Sequence, residues 1–235
     1  MTITTITIDA AGTLIHPAEP VAISYGRLAA QFGSHLDPQA LAAAFRHGFS
    51  KMPPMAFPTA LDKDELDRAE RGWWRRLVKQ ITEEAGGVRQ FDEYFSVLYG
   101  YYATSEAWRL YPEVHSVVAA LRAQDIKLAV VSNFDSRLLP VLDGLGIASS
   151  FGHIVYSTAS GAAKPDGAIY ADALRQTGSN AGTTLHVGDN ASADYSGAKA
   201  AGMHALLLHR DGRDCEAPHE APDLHGIHDY LSAYP

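Results

Sequence analysis

The feature that most constrains the fold is a series of short apolar runs that recur along the chain and alternate with helix-length segments. The runs have the length and β-branched content of buried strands: Ile3–Ile8, Lys127–Val131, Ile154–Tyr156, Leu185–Val187 and Ala205–Leu208. Helical patterns separate the later runs: Glu113–Gln124, Gly167–Thr177 and Ala193–Ala201, which Gly202 follows where a C-terminal cap would lie. This alternation predicts an α/β fold, a Rossmann-like doubly wound parallel sheet covered by helices on both faces.

The segment 17–108 has a different pattern and is predicted to be all helical. Asp62 and Glu65 have the spacing of a capping box at a helix start. The apolar residues that follow repeat with helical spacing: Leu66, Ala69, Trp73, Leu77 and Ile81. We therefore predict a core formed by residues 1–16 and 109–235, interrupted after its first strand by a helical cap of residues 17–108.

Charge and composition limit the partners that such a chain can have. The 235 residues carry a formal net charge of −8, and no run of Lys and Arg interrupts it, so neither nucleic acid nor an anionic membrane is an expected partner. No stretch approaches the ~20 apolar residues of a membrane span, and the N-terminal residues lack a signal-peptide pattern. The single cysteine, Cys215, is compatible with a reducing compartment. We expect a cytoplasmic protein, and the sequence does not predict its oligomeric state.

Polar residues follow the first two core strands at the point where an open parallel sheet binds its ligands. Asp9 comes directly after the first strand, and Gly12 and Thr13 follow it in a predicted turn. Ser132 and Asn133 come after the next core strand. Taken alone, such residues usually cap turns and helices, although a hydroxyl and the backbone N–H groups after it can also bind a phosphate oxygen.

The third and fourth polar groups add a cation and two further carboxylates. Lys164 precedes a proline that favours an extended backbone, although a solvated surface lysine is the usual interpretation of such a residue. Asp189 and Asp194 flank a predicted strand-to-helix turn. With Asp9 they make three carboxylates, which would repel one another if brought together, so a divalent cation is the simplest means of stabilising them. Ligands that are all oxygen favour magnesium over zinc.

The order of these groups along the chain carries more information than any one of them. Asp-x-x-Gly-Thr, Ser-Asn, Lys-Pro-Asp and Gly-Asp-x-x-x-x-Asp, each after a strand, resemble the motif set of the haloacid dehalogenase-like (HAD) hydrolase superfamily, and the resemblance covers nearly the whole chain. Several longer stretches are similar to the rhythmically-expressed-gene-like branch of its first cap subclass: 91–95, 108–113, 129–138 and 185–189.

The resemblance implies a nucleophile and a metal site. Asp9 would attack phosphorus and form an aspartyl-phosphate. Magnesium would be held by Asp9, the backbone carbonyl of Ala11 and Asp189, with Asp194 as a further ligand or as support for the others. The expected reaction is therefore magnesium-dependent hydrolysis of a small phosphorylated metabolite.

The resemblance also implies a phosphate-binding set. Ser132 and Lys164 would bind the oxygens of the transferring phosphoryl group and counter the charge that develops on it. Asn133 and the backbone of Gly12 and Thr13 would help to position that group. By analogy, the first strand would lie centrally in the sheet.

The chain departs from the family pattern at one position of the first motif. A typical phosphatase of the family has a second Asp two residues after the nucleophile, and this chain has Ala11. General acid–base catalysis is typically worth about 10²–10⁴ in rate, and alanine cannot supply it. One consequence would be a phosphatase restricted to leaving groups of low pKa, as in acyl or aryl phosphates or with a nucleoside diphosphate as the leaving group. His16 and Glu19 are candidates for a replacement base, although surface or capping roles fit both better.

Two other functions remain open at this stage. A phosphonoacetaldehyde hydrolase-like reaction would use a cap lysine, for which Lys51 is the candidate in a loop-like setting. A protein that binds phosphorylated ligands or a partner with little turnover is the second alternative. A metal-free haloacid dehalogenase is disfavoured because Asp189 and Asp194 together describe a cation site.

Three further features have structural interpretations that compete with functional ones. Arg137 follows the Ser-Asn motif and could contact substrate, but an exposed helix residue is the favoured interpretation. His186 lies within a predicted strand and is expected to serve packing. The Trp73–Trp74 pair is expected to belong to the core of the helical segment rather than to form a stacking platform.

Overall fold

The architecture centres on a six-stranded parallel sheet, seen in a computed structural model that describes residues 2–215 and 217–233. Its strand order is β5-β4-β1-β6-β7-β8. The strands are β1 (Thr5–Ile8), β4 (Lys127–Ser132), β5 (His153–Tyr156), β6 (Thr184–Gly188), β7 (His204–Leu208) and β8 (Glu220–Ala221). The five predicted core strands are all present, within two residues of their predicted starts, and the central position of β1 is confirmed. Strand β8 was not predicted.

Helices cover the two faces of this sheet. Successive residues of a strand point to opposite faces, and Val130 and Val131 of β4 accordingly belong to two separate hydrophobic clusters. The helices after residue 110 are α5 (Val114–Arg122), α6 (Leu138–Gly144), α7 (Ser157–Ser160), α8 (Gly167–Thr177), α9 (Gly197–Ala200) and α10 (Gly226–Ala233). Residues of α5, α6 and α10 pack with Val130, and residues of α8 and α9 pack with Val131. This is the predicted doubly wound arrangement.

Four helices lie between the first strands and the remainder of the sheet: α1 (Val21–Ala30), α2 (Pro38–Lys51), α3 (Lys63–Glu84) and α4 (Phe91–Tyr101). Helix α3 begins at the predicted capping box, in which the Asp62 carboxylate accepts from Glu65 N at 2.8 Å and the Glu65 carboxylate accepts from Asp62 N at 3.0 Å. The four helices enclose a hydrophobic cluster of their own. No helix in the described part of the chain combines the length and apolar character needed to cross a bilayer.

A short two-stranded ladder connects the helical segment to the sheet region. Strand β2 (Ile15–Pro17) pairs antiparallel with β3 (Trp108–Leu110), and His16 lies opposite Arg109. The predicted boundaries at 16 and 109 therefore face each other in this ladder. The ladder itself was not predicted, because three residues are too short for an alternating pattern to be recognised. The division into core and cap stays a prediction.

The predicted helix Ala193–Ala201 differs in its first turns. The chain forms a wide, π-helical turn over Ala191–Ser196 before α9 begins. The Tyr170 hydroxyl donates to the Ala193 carbonyl, and the Ser196 hydroxyl donates to the Ala191 carbonyl at 2.9 Å. Side-chain hydroxyls thus donate to two backbone carbonyls of the turn, which favours π-helical over α-helical geometry. Such π-helical turns often occur at functional sites.

Candidate active site

The carboxyl ends of three adjacent strands bring the predicted polar groups to one edge of the sheet. Asp9 follows β1, Ser132 ends β4, and Asp189 follows β6. Ile8 pairs with Val130 on one side and Val187 on the other, so the residues after each strand lie side by side. Asp9 N donates to the Val187 carbonyl at 2.9 Å, which continues the ladder with β6. Asp9 and Ser132 are both buried.

Lys164 lies at the centre of this group and is buried, so the interpretation as a solvated surface lysine is wrong. Its Nζ donates to Asp9 Oδ1 at 2.7 Å, to Asp194 Oδ1 at 2.5 Å and to the Val131 carbonyl at 2.8 Å. Burial disfavours the ammonium charge, but the Asp9 and Asp194 carboxylates outweigh burial and raise the pKa of Lys164. The lysine is therefore a fixed positive charge between two of the predicted acidic residues.

The side-chain amide of Asn133 forms hydrogen bonds with the backbone of Lys164. Its side-chain Nδ2 donates to the Lys164 carbonyl at 2.9 Å, and its Oδ1 accepts from Lys164 N at 2.7 Å. Both polar ends of the amide thus support the lysine segment. A direct contact between Asn133 and substrate stays a prediction.

Asp194 is held by a hydrogen-bond network that the sequence only partly indicated. Its Oδ2 accepts from Asn190 N at 2.8 Å, and its Oδ1 lies 3.2 Å from Nε2 of His186. Burial lowers the pKa of His186, so the ring is neutral. Nδ1 of His186 lies 2.8 Å from the Thr7 hydroxyl, and this bond leaves Nε2–H free to donate to Asp194.

The expectation that His186 serves packing alone is therefore wrong. Its apolar strand neighbours concealed its role, although a histidine on a fully buried strand requires a polar partner. Burial raises the pKa of Asp194, but Lys164 and His186 together outweigh burial and hold the pKa well below its usual range.

Three carboxylates have the arrangement and chemistry of a cation site. Asp9, Asp189 and Asp194 each offer an oxygen, and these atoms lie within 4.8 Å of one another. Asp189 lies at the exposed rim of the group. Protein atoms that displace water from its carboxylate, and the charges of Asp9 and Asp194, raise its pKa to about 6. A group of oxygen ligands with unfavourable mutual repulsion fits a hard divalent cation such as Mg²⁺.

Two glycines allow these carboxylates to approach the backbone. Gly12 has φ +93°, and a Cβ at this residue would overlap the Asp189 carboxylate. A Cβ at Gly188 would overlap the Asp194 side chain. Thr13 is buried, and its hydroxyl donates to Asp189 Oδ1 at 3.4 Å. The turn after Asp9 thus lies directly against the Asp189 carboxylate. A hydrogen bond from the backbone of Gly12 and Thr13 to phosphate stays a prediction.

Arg210 fixes the same turn and was not identified from the sequence. Its guanidinium donates to the Thr13 carbonyl at 2.6 Å and to Oε1 of Glu113 at 2.6 Å. It also lies over the ring of Tyr111, 3.7 Å from the centroid. No local signal marks this residue, because the turn that it binds is almost two hundred positions earlier in the chain.

A cavity of about 240 Å³ adjoins the acidic group. Ala11 and Asn133 line it from the sheet side, and residues of α1 to α4 line it from the helical segment. Ala11 is exposed in the turn two residues after Asp9. Its carbonyl as a metal ligand stays a prediction.

Arg137 lies beside this cavity, and the interpretation as an exposed helix residue is wrong. The side chain is buried and makes a bidentate ion pair with Asp135, with distances of 2.9 and 2.6 Å. Its guanidinium lies 3.9 Å from the centroid of the Tyr99 ring. Trp73 is buried in the helical cluster and Trp74 packs against it, as expected. Trp74 also lines the cavity and donates to Asp135 at 2.6 Å. The helices that cover Arg137 are distant in sequence, so its own segment does not reveal its burial.

The candidate bases and the candidate cap lysine lie in other settings. His16 Nδ1 bonds to the Pro17 carbonyl at 2.9 Å, and the ring packs on Tyr111. The Glu19 carboxylate is paired with Arg27 at 2.6 Å. Lys51 is exposed at the end of α2 and is not among the described residues that line the cavity.

Comparison with known proteins supports the same family as the motifs. A family model described as haloacid dehalogenase-like hydrolase matches residues 3–202. Haloacid dehalogenase-like hydrolase domain-containing protein 3 of Bos taurus is 32% identical over 206 residues, which cover 86% of this chain and 80% of that protein. Rhythmically expressed gene 2 protein of Drosophila melanogaster is 27% identical over 97% of this chain and 94% of its own length.

Solved structures share the fold over almost the whole chain. An HAD phosphatase from Thermococcus onnurineus superimposes with a TM-score of 0.68 at 21% identity, covering 97% of this chain and 98% of that one. The L-2-haloacid dehalogenase from Xanthobacter autotrophicus superimposes with a TM-score of 0.74 at 16% identity, covering 99% of each chain. Because a phosphatase and a dehalogenase both share this fold, the choice of chemistry depends on the side chains of the site.

Proposed function

The chain belongs to the haloacid dehalogenase-like hydrolase family, and we propose that it is a magnesium-dependent phosphatase that acts in the cytoplasm on a small phosphorylated metabolite. The observation that carries the proposal is the convergence of Lys164 with Asp9, Asp189 and Asp194 at one edge of the sheet. A cluster of three carboxylates is costly without a cation, and its oxygen ligands suit Mg²⁺. When bound, magnesium would offset the charge of the carboxylates and of the phosphoryl group.

The first proposed step transfers the phosphoryl group to Asp9. A carboxylate oxygen of Asp9 attacks phosphorus, a new P–O bond forms, and the bond to the leaving group breaks. Lys164 and the Ser132 hydroxyl would counter the negative charge on the phosphoryl oxygens. Lys164 already contacts Asp9, so its ammonium lies next to the position where the charge develops.

The second proposed step regenerates the enzyme. Water attacks the phosphorus of the aspartyl-phosphate, the bond to the Asp9 oxygen breaks, and phosphate leaves with the proton of the water passing to solvent. No residue is assigned as the base, because His16 is bonded to the backbone and Glu19 is paired with Arg27.

The substitution at Ala11 restricts the substrates in this proposal. Without a carboxylic acid at that position, the leaving oxygen departs as an anion, so groups of low pKa are favoured. Aryl and acyl phosphates satisfy this requirement, whereas alkyl phosphates do not.

The proposal is tested with the wild type and an Asp9→Asn variant on an aryl phosphate, with and without magnesium. The wild type is expected to turn over only with magnesium, and Asp9→Asn is expected to lose at least about 10³-fold in kcat. Asp92→Asn is the matched control, since this exposed carboxylate on α4 is paired with Arg75 and belongs neither to the described carboxylate group nor to the described lining of the cavity.

Several outcomes would overturn the proposal. Full activity in Asp9→Asn or activity without a metal would contradict it. Magnesium-dependent binding of phosphate without turnover of any phosphate ester would favour the binding-protein alternative. Cleavage of phosphonoacetaldehyde in preference to phosphate esters would favour carbon–phosphorus chemistry instead.

A further inference from the structure

The turn that follows β1 is held on one side by its own backbone and on the other by Arg210. The Ala10 carbonyl accepts from Leu14 N at 2.8 Å and from Ile15 N at 2.9 Å. The Thr13 carbonyl accepts from no backbone N–H group in the described part of the chain, and its partner is the Arg210 guanidinium at 2.6 Å. The position of this peptide group therefore depends on Arg210.

Arg210 reaches the turn from the far side of the strand that Asp189 follows. Arg210 comes two positions after β7, and β6 lies between β7 and β1 in the sheet. Its side chain therefore extends past the carboxyl end of β6, where Asp189 lies, and links the chain after β7 to the turn after β1.

Two further contacts hold the guanidinium in one orientation. It donates to Oε1 of Glu113 at 2.6 Å and lies 3.7 Å from the centroid of the Tyr111 ring. The side chains of Arg210 and Glu113 are only 15% and 9% exposed, so water and salt screen their attraction little. Burial raises the pKa of Glu113, but backbone N–H groups and Arg210 outweigh burial and lower it. Because Glu113 neutralises its charge, Arg210 acts on the turn as a hydrogen-bond donor.

The same turn determines where two of the proposed magnesium ligands lie. A Cβ at Gly12 would overlap the Asp189 carboxylate, and the Thr13 hydroxyl donates to Asp189 Oδ1 at 3.4 Å. Ala11, whose carbonyl is the other proposed ligand, directly precedes Gly12. A shift of the Thr13 peptide group would therefore move the Ala11 carbonyl and the surface against which Asp189 packs.

The nucleophile and its counter-charge are fixed without this turn. Asp9 N donates to the Val187 carbonyl at 2.9 Å, and the Asp9 carboxylate accepts from Lys164 Nζ at 2.7 Å. The backbone of Lys164 is bonded to the Asn133 amide. A displaced turn would thus disturb the metal ligands and leave Asp9 and Lys164 in place.

We propose that Arg210 is a positioning residue for the magnesium site, which holds the turn after β1 so that the Ala11 carbonyl and the Asp189 carboxylate lie within reach of one cation. It acts through the Thr13 carbonyl and is not itself a ligand. This inference rests on the proposed function, because it concerns the metal that the proposed reaction uses. Loss of Arg210 is therefore expected to lower the affinity for magnesium and to spare kcat once magnesium is saturating.

The test is isothermal titration calorimetry of the wild type and Arg210→Met with magnesium alone, at a pH well above the pKa of Asp189. Residues that orient metal ligands typically contribute 10–100-fold to metal affinity, so the Kd for magnesium is expected to rise about tenfold. In a parallel assay on an aryl phosphate, kcat at saturating magnesium is expected to change by less than about threefold.

The sign of the change in Kd separates positioning from electrostatics. Arg210→Met removes a positive charge near a cation site and leaves the Glu113 carboxylate unpaired. By Coulomb attraction alone, both changes would lower the Kd for magnesium. A higher Kd therefore reports the lost hydrogen bond to Thr13 and not the lost charge.

Arg75→Met is the matched control. Arg75 likewise pairs with a carboxylate, that of Asp92 at 2.6 Å, and lies over an aromatic ring, that of Phe91. These contacts join α3 to α4 and involve neither the turn nor the described carboxylate group. This variant is expected to leave the Kd for magnesium unchanged.

Arg210→Lys guards against a first variant that does not fold. Lysine keeps the positive charge, but a single ammonium lacks the planar fork that reaches Glu113 and Thr13 together, so the Kd for magnesium is expected to rise about threefold. If the wild type binds magnesium, a Kd at or below the wild-type value in either Arg210 variant would overturn this inference alone. A loss of kcat at saturating magnesium as large as the rise in Kd would overturn it as well. Absence of Asp9-dependent turnover on every phosphate ester would instead overturn the proposed function.

Discussion

At the scale of single residues, Ala11 is the position where this chain departs most informatively from its family. The side chain borders an apolar cavity instead of supplying an acid. Ala11 therefore provides no acid and adds one more apolar side chain to the lining of the cavity. An enzyme built in this way would select its substrates by the leaving group's ability to depart as well as by its shape.

Restoring an acid at this position is expected to broaden the range of leaving groups. Ala11→Asp should raise kcat for benzyl phosphate, an aromatic alkyl ester, by about 10², because general acid catalysis assists a leaving group of high pKa. The effect on umbelliferyl phosphate should be small. Ala11→Asn is the matched control, since it has a similar size and no acidic proton. A rise of equal size in both variants would show that shape, and not proton transfer, limits the wild type.

The Asp189 carboxylate predicts how magnesium binding depends on pH. Partial loss of hydration and the neighbouring carboxylates raise the pKa of Asp189 to about 6. Without metal, its carboxyl group therefore changes from the favoured protonated form to the less favoured ionised form as pH rises through that value. Magnesium is expected to raise Tm more at about pH 7, where the carboxylate is ionised, than at about pH 5, where a proton must first leave. Thermal denaturation with and without magnesium measures this difference.

The Asp189→Asn variant provides the control for this pH dependence. Its magnesium-induced rise in Tm should be smaller and should depend less on pH than that of the wild type, because one of the titrating carboxylates is absent. A wild-type rise in Tm that is the same at both pH values would contradict the assignment of Asp189 as a metal ligand.

At the scale of secondary-structure elements, the end of β6 and the turn after it determine where Asp189 and Asp194 lie. The wide turn Ala191–Ser196 directs Asp194 toward Lys164 and His186. The sequence predicted a strand followed by a helix here and placed both carboxylates correctly along the chain. It did not predict the width of the turn, because the bonds from Tyr170 and Ser196 that accompany it depend on side chains outside the local helical pattern.

Gly188 is expected to be essential to this turn. Gly188→Ala would place a methyl group against the Asp194 side chain, so the free energy of unfolding should fall by about 1–3 kcal/mol. The magnesium-induced rise in Tm should fall as well. Gly72→Ala is the matched control on α3, where a Cβ meets no atom within 4 Å, and it should raise the free energy of unfolding by about 0.5–1 kcal/mol. Urea denaturation measures both, and a neutral Gly188→Ala variant would contradict the close approach.

At the scale of the whole molecule, a buried glutamate joins the helical segment to the sheet region. Glu70 of α3 is fully buried and accepts from Ser136 N at 3.1 Å, from the Ser136 hydroxyl at 2.5 Å and from the Thr158 hydroxyl. Burial raises the pKa of Glu70 although these donors oppose the shift. Next to Ser136 in the chain, Asp135 accepts from Trp74 and Arg137, which both line the cavity.

Removing Glu70 is expected to destabilise the protein through this contact. Glu70→Ala would leave the buried Thr158 hydroxyl and the two half-buried donors of Ser136 without this acceptor, so the free energy of unfolding should fall by about 2–4 kcal/mol in urea denaturation. Glu83→Ala on the same helix removes an exposed carboxylate paired with Lys79 and should change the free energy of unfolding by less than about 0.5 kcal/mol. Similar losses in both variants would show that the buried contact contributes little.

The sequence by itself determined the order of strands and helices and the edge at which the site forms. Strand and helix periods are local, and parallel strands bring all of their carboxyl ends to one edge, so Asp9, Ser132 and Asp189 were predicted to converge from their positions alone. Lys164 joined them through the order of the family's motifs.

Only the tertiary structure decided the surroundings of that site. The burial of Arg137, the bond from His186 to Asp194 and the aromatic cavity around Tyr99 all depend on which faces of distant elements pack together. Glu70 and Ser136 are 66 positions apart, and no local period records such a contact. A periodic pattern specifies that a face is buried, but it does not specify which side chains lie opposite that face, and those side chains shape the cavity in which a substrate would bind.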